Sequence, residues 1–401
     1  MIVLKKRNLA ILLVIALCSG FVLMAAYNQV HGVVTDQISI SAEEYENYKR
    51  IKKDYTQLDE LQQLIEEKYY IPLDKEKLYE GMYKGLFAGI GDPYSAYLTK
   101  KEYEDLMIAA SGEYEGIGVT IAPDKQGLIN VVAPIDDTPA FKAGIKSDDK
   151  IIAVDGVEYN GDTIDAAATA MRGKGGTSVN IRILRGEEIK ELTLKRAKIT
   201  MNTVKEETIN DNIGYIRISS FEKHTAEDFS TALRNMEVSG VDGLIIDLRD
   251  NPGGLVDVSI KIADLLLPEG IITYTEDRKG EKNYYKSDAN ATNIPFVVLI
   301  NGGSASASEI IAGAIKDNDV GQIVGTTSYG KGIIQEIVQL KNGDATKLTI
   351  MQYFSPDGEK IHEKGVEPDY IVELKLEDLT DGILTKENDR QLQKAIELLT
   401  R

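Results

Sequence analysis

The hydrophobic pattern opens with an apolar run over residues 9–27, preceded by Lys5, Lys6 and Arg7. At about 1.5 Å of rise per residue, a helix of that length crosses a bilayer. The basic flank would remain in the cytoplasm and the rest of the chain outside it. The run is longer than a usual signal-peptide core, so it reads as an uncleaved anchor. A signal peptide cleaved near Ala25-Ala26 is the alternative. Residues 41–70 then turn charged, with Leu58, Leu61, Leu64 and Ile65 at spacings that share one helical face. That stripe packs on its own domain or serves dimerisation. Pro72 and Asp74 end it. Further helices are expected over 75–88 and 100–110, separated by the turn Gly91-Asp92-Pro93.

Beyond Gly112 the period shortens. Strand-like runs at 118–122, 128–132, 150–154, 179–184 and 191–196 alternate with Gly-rich turns, with one helical stretch at 163–171. This reads as a separate β-rich module over 112–198. From Asn212 onward, apolar strands at 214–219, 243–248, 296–300 and 322–324 alternate with helices at 225–236, 256–267 and 307–316. That alternation predicts a layered α/β core. A last amphipathic helix is expected over 386–399.

Composition narrows the function. The 401 residues are 43% hydrophobic and 27% charged, a globular balance. The formal net charge of −18 argues against nucleic acid as a partner, because phosphate would be repelled. Cys18 is the one cysteine, so neither a disulfide framework nor a cysteine metal site is possible. His31, His224 and His362 are far apart and match no metal-ligand spacing, and neither metal nor cofactor is expected.

Three segments carry candidate chemistry. Asn301-Gly-Gly-Ser304-Ala-Ser306-Ala-Ser308-Glu309 follows a buried strand and opens a helix. A serine there projects into a cleft toward which the helix N–H groups also point, suiting a nucleophile beside an oxyanion hole. Ser306 with Glu309 is equally a capping box, which only starts a helix. A hydroxyl nucleophile needs a base. Lysine serves when burial disfavours its ammonium, and Lys331 between Gly330 and Gly332 is the candidate. A surface lysine in a turn is the plainer reading. Gln335, four residues on, would accept a hydrogen bond from the lysine and orient it. Gly253 and Gly254 follow the strand ending at Leu248 and can offer an N–H to an oxyanion, or simply form a turn.

Taken together, these motifs resemble those of the carboxyl-terminal processing peptidases, serine peptidases carrying a PDZ domain. Asp247-Leu-Arg-Asp-Asn-Pro-Gly-Gly254, Gly303-Ser-Ala-Ser-Ala-Ser-Glu309, Tyr329-Gly-Lys-Gly332 with Gln335, Tyr353-Phe-Ser-Pro-Asp-Gly358 and Gly365-Val-Glu-Pro-Asp369 carry the likeness. The resemblance implies a crotonase- or Clp-protease-like α/β core with an inserted PDZ domain and an N-terminal helical region. The expected division is anchor 1–30, helical region 31–111, PDZ domain 112–198, protease core 199–375 and helical tail 376–401. It further implies Ser306 as nucleophile, Lys331 as base and Gln335 as its orienter. Ala307 and either Gly253 or Gly254 would form the oxyanion hole.

By the same resemblance, Gly116, Ile117, Gly118 and Val119 form a carboxylate-binding loop for a peptide end, with the adjacent strand edge accepting the peptide. Arg172 lies where the family can have an arginine sensing PDZ position, a solvated surface arginine being the alternative. The implied partners are proteins or peptides with accessible C-termini, a second copy of the chain and a regulatory protein. The implied location is a single-pass membrane protein with its catalytic part extracytoplasmic, or a secreted one if the segment is cleaved. Two rivals remain at this stage: a silent PDZ adaptor, and a Ser-His hydrolase using His224 or His362.

Overall fold

The computed structural model describes residues 6–34, 41–210, 212–378 and 384–400. The chain divides into two compact units, Met1–Tyr79 and Glu80–Arg401. In the first, Lys6–Val34 is one helix, and its Ala10–Tyr27 window is long and apolar enough to cross a membrane. Ala42–Lys68 is a second helix. Ser41 starts it with a full capping box: its hydroxyl accepts from Glu44 N–H while Glu44 reaches back to Ser41 N–H. Its apolar stripe, Leu58, Leu61, Leu64 and Ile65, is exposed. Lys5, in the basic flank, lies outside the described residues.

The core of the second unit is a six-stranded sheet. Its spatial order is Val204–Ile209, Ile213–Ile218, Gly243–Asp247, Phe296–Ile300, Gln322–Gly325 and Tyr370–Ile371. The first pair is antiparallel and the rest are parallel. The two central strands are buried on both faces, which is why they read as unbroken apolar runs. Leu244 and Ile246 pack with the helices Thr225–Ser239, Val256–Asp264 and Ala307–Asp317. Ile245 alternates to the opposite face and meets Leu392 and Ala395 of the last helix. That helix starts at Arg390 rather than near 386, because Asp389 caps it through Gln391 and Leu392 N–H.

A second, antiparallel sheet was not foreseen. Ala345–Phe354 is its spine, flanked by Ala96–Leu98, Ile333–Gln339 and Gly270–Asp277, with Lys282–Ser287 outermost. Its strands are only partly buried and carry many polar residues, so no clean period stands out. This sheet matters because the chain passes from the first sheet to the second through Lys331.

The β-rich module is a five-strand antiparallel sheet with one short strand added. It closes over a core that includes Ile117, Ile129, Val131, Ile151, Ile181 and Ile183. Val119–Pro123 lies at its edge. Glu113–Gly116 and Ala197–Thr200 pair where the chain enters and leaves, so the module hangs from a two-stranded stem. At that stem Glu113 accepts from Lys198 at 2.8 Å and meets His224 at 2.6 Å.

Candidate active site

Ser306 closes the short loop that follows the buried parallel strand Phe296–Ile300 and immediately precedes the helix Ala307–Asp317. Its backbone is strained, with φ 55° and ψ −113°, a region that non-glycine residues seldom enter. The three serines of the segment have separate fates. Ser304 Oγ donates to Leu248 O at 2.7 Å, and Ser308 Oγ donates to Asn251 O at 3.0 Å. Both hydroxyls are thereby tied to the end of the neighbouring strand Gly243–Asp247 and the loop that follows it. Ser306 makes no such side-chain bond to that loop.

Glu309 holds the strained turn. Its carboxylate is fully buried and accepts from Ser306 N–H at 2.8 Å, as the capping-box reading expects. It also accepts from Ser328 Oγ at 2.5 Å, Gly330 N–H at 2.6 Å and Lys331 N–H at 2.8 Å. One carboxylate therefore fixes the backbone of both candidate nucleophile and candidate base. Four donors compensate its burial. Tyr353 reinforces the same link, with its hydroxyl between the carbonyls of Ser306, at 3.0 Å, and Lys331. The sequence signalled Glu309 only as a helix cap, and Tyr353 only as part of a motif.

Lys331 is half-buried, and burial is the main cause holding its amine below the ordinary lysine range. Repulsion by Lys347 adds to this, while Asp92 and Glu309 oppose it. The amine is not hydrogen-bonded to Ser306; it stands 5.0 Å from the ring centroid of Tyr94. Gln335 departs from expectation too. Its Nε2 donates to Thr349 Oγ1 at 3.3 Å, because the strand pairing sets it opposite Thr349, and its amide oxygen accepts no bond from Lys331. Thr349 Oγ1 in turn donates to Asp92 Oδ2 at 2.6 Å. Asp92 and Tyr94 belong to a loop read from the sequence only as a turn.

The glycine pair differs within itself. A Cβ on Gly253 would lie 2.7 Å from Ser306 Cβ and 3.0 Å from Ala307 N, and its φ is 102°. Only glycine allows so close an approach there. Gly253 N–H donates to Asn251 Oδ1 at 2.9 Å, and Gly253 O accepts from Phe221 N–H at 3.0 Å. In the trans peptide that follows, Gly254 N–H points away from Phe221. Neither Gly254 N–H nor Ala307 N–H has a backbone or side-chain acceptor among the described residues.

The remaining candidates fall elsewhere in the same unit. Ile117 O accepts from Ala140 N–H and Gly118 O from Ile135 N–H. Both carbonyls thus face inward, beside Gly116 and the edge strand beginning at Val119. Arg172 ends the helix Ile164–Met171, pairs with Asp105 at 2.6 Å and lies 5.8 Å from the ring of Tyr114. His224 precedes the helix Thr225–Ser239 and bonds Glu113 of the stem. His362 lies edge-on to Tyr94, its ring centroid 6.5 Å away. Neither histidine is hydrogen-bonded to Ser306.

A layered α/β core with an inserted β-rich module and a serine at a strained strand-to-helix turn fits a serine peptidase. Comparison with known proteins agrees. The pattern described as peptidase family S41 matches residues 212–372, and that of a PDZ domain matches 116–195. The pattern described as the activating protease CtpB N-terminal domain matches 13–102. The carboxyl-terminal-processing protease of Synechocystis sp. is 37% identical over 348 residues, covering 84% of this chain and 81% of that protein. The carboxy-terminal processing protease CtpB of Bacillus subtilis is 37% identical over 318 residues, covering 78% of this chain and 66% of that protein. The solved structure of a putative S41 protease from Bacteroides fragilis shares the fold at a TM-score of 0.51 and 14% identity, over 83% of this chain and 92% of that one. The chain belongs to the carboxyl-terminal processing peptidases of family S41.

Proposed function

We propose that Ser306 and Lys331 carry the peptidase chemistry, and that the chain works as a single-pass membrane protein on extracytoplasmic proteins. Neutral Lys331 takes the proton of the Ser306 hydroxyl as Oγ bonds to a peptide carbonyl carbon. The oxyanion is held by the N–H of Ala307 and of Gly254. Gly254 is preferred over Gly253 because the Gly253 N–H is already given to Asn251. Collapse breaks the C–N bond, and the leaving amine takes the proton from the Lys331 ammonium. Water, giving its proton to Lys331, then attacks the acyl ester; the C–Oγ bond breaks, the Lys331 ammonium returns the proton to Ser306 Oγ, and the new carboxyl end leaves.

The observation that carries this reading is the Glu309 carboxylate, which binds the backbone N–H of residues 306 and 331 at once. The PDZ loop Gly116–Val119 would take the substrate's terminal carboxylate, and the exposed edge strand would pair with the segment before it. The apolar Ala10–Tyr27 window supports a membrane anchor with the catalytic unit outside. A second copy, docked through the exposed stripe of Ala42–Lys68, and a regulatory protein are further partners of this reading.

The test uses the full chain in detergent and a peptide offered with either a free or an amidated C-terminus, the cuts being mapped by mass spectrometry. The free peptide is cleaved near its end, amidation slows cleavage about 10-fold or more, and Ser306→Ala abolishes it. Cleavage by Ser306→Ala, or indifference to amidation, contradicts the corresponding half of the reading.

A further inference from the structure

The ammonium of Lys331 has a partner, and it is an aromatic face. At 5.0 Å from the Tyr94 centroid it lies within cation–π range. Among the described residues it makes no ion pair. The three charged groups around it are Lys347 from the strand Ala345–Phe354, Asp92 from the turn and Glu309 from the helix. Lys347 repels the ammonium. Glu309 is taken up by its four donors, and Asp92 by Ser95 Oγ, Thr349 Oγ1 and Tyr94 N–H. Tyr329 and His362 also neighbour Tyr94, His362 edge-on to its ring.

The turn that carries the ring is held on several sides. Asp92 Oδ1 accepts from Tyr94 N–H at 3.0 Å, fixing the turn. Asp92 Oδ2 accepts from Ser95 Oγ at 2.5 Å and Thr349 Oγ1 at 2.6 Å. Ser95 Oγ accepts from Thr349 N–H at 3.0 Å, and Thr349 Oγ1 from Gln335 Nε2 at 3.3 Å. The turn is thus riveted to the two strands that follow Lys331, and Gln335 is joined to it through Thr349.

We propose that Tyr94 is a positioning residue, its ring the resting berth of the Lys331 ammonium between turnovers. The inference rests on the Ser306–Lys331 reading. A π face attracts a cation and offers little to a neutral amine. Protonated, Lys331 stays on the ring; deprotonated, it is released to reach Ser306. The ring thereby ties the position of the base to its protonation, and stabilises the ammonium against the burial that disfavours it.

The experiment follows the rate at which an alkyl fluorophosphonate labels Ser306 in the full chain across pH. In the native protein the rate rises as Lys331 loses its proton. Tyr94→Leu and Tyr94→Met, which remove the ring, move that rise to lower pH by about 0.5–1 unit. Tyr94→Phe, which keeps the ring, leaves it in place. Ring-less variants whose rise stays put, or a Phe variant that moves as far as Leu, overturn the berth. Lys331→Ala separates the two readings. If it keeps the rise, the Ser–Lys chemistry fails and the berth with it. If it loses the rise while the ring-less variants do not move it, the berth alone fails.

Discussion

The backbone at residue 306 is held in a conformation costing on the order of 1–3 kcal/mol, and its neighbours are arranged to sustain it. Glu309 binds its N–H, and Gly253 clears the space beside its Cβ. Gly253→Ala therefore removes what the turn requires: its methyl would stand 2.7 Å from both Ser306 Cβ and Ala305 O, on a backbone with φ of 102°. We expect labelling of Ser306 to fall about 100-fold or more, with peptide affinity of the PDZ module unchanged in a binding titration. Equal loss of both would mean a general fold defect instead. Much at this scale was legible from the sequence. Ser306 stood out as a serine between small residues at a strand-to-helix turn, and Lys331 as a lysine enclosed by glycines. Glu309 was legible only as a cap, because its other three donors come from residues 328–331. Gln335 is read from the sequence as an acceptor for the lysine; in the structure its Nε2 donates to Thr349 Oγ1, a contact set by a strand pairing that four-residue spacing does not encode.

Secondary-structure elements were legible in proportion to their burial. The strands Gly243–Asp247 and Phe296–Ile300 are buried along their whole length, so apolar runs marked them. The second sheet, half-exposed and polar, gave no such period. The loop after Gly243–Asp247 is anchored by a buried ion network that spans distant elements. Arg249 bonds Asp247 through Nε and NH2, and Asp389 at 2.8 Å and Gln391 at 3.1 Å through NH1. Burial alone would push the Asp247 carboxyl up, but the bonds and charge of Arg249 hold it below the ordinary aspartate range. Arg249→Leu leaves two buried carboxylates without that partner and should cost about 3–5 kcal/mol in denaturant unfolding of the full chain. In the native protein the stabilisation from Asp247 is complete above the unfolded aspartate range, near pH 4. It disappears only as pH falls through the lower folded value. A variant within about 1 kcal/mol of the native protein would show the network to be replaceable.

Across the whole catalytic unit, the same economy recurs. Two sheets meet at the site, the parallel one supplying Ser306 and the antiparallel one following Lys331, while Glu309 and Tyr353 join them. The PDZ module enters and leaves by one two-stranded stem, where Glu113 bonds His224, and Arg172 ties it to Asp105. That insertion was visible in the sequence as a change of period, whereas the stem's ion pairs join residues far apart along the chain. The account depends on proton transfer from the hydroxyl of residue 306 to the amine of residue 331. Fluorophosphonate labelling of the full chain, with the adduct mapped by mass spectrometry, measures that step without any knowledge of substrate. We predict one adduct, on Ser306, whose formation in Lys331→Ala falls at least about 1,000-fold and loses its rise with pH. An adduct on another serine, or labelling of Lys331→Ala at the native rate with the native pH profile, would contradict it.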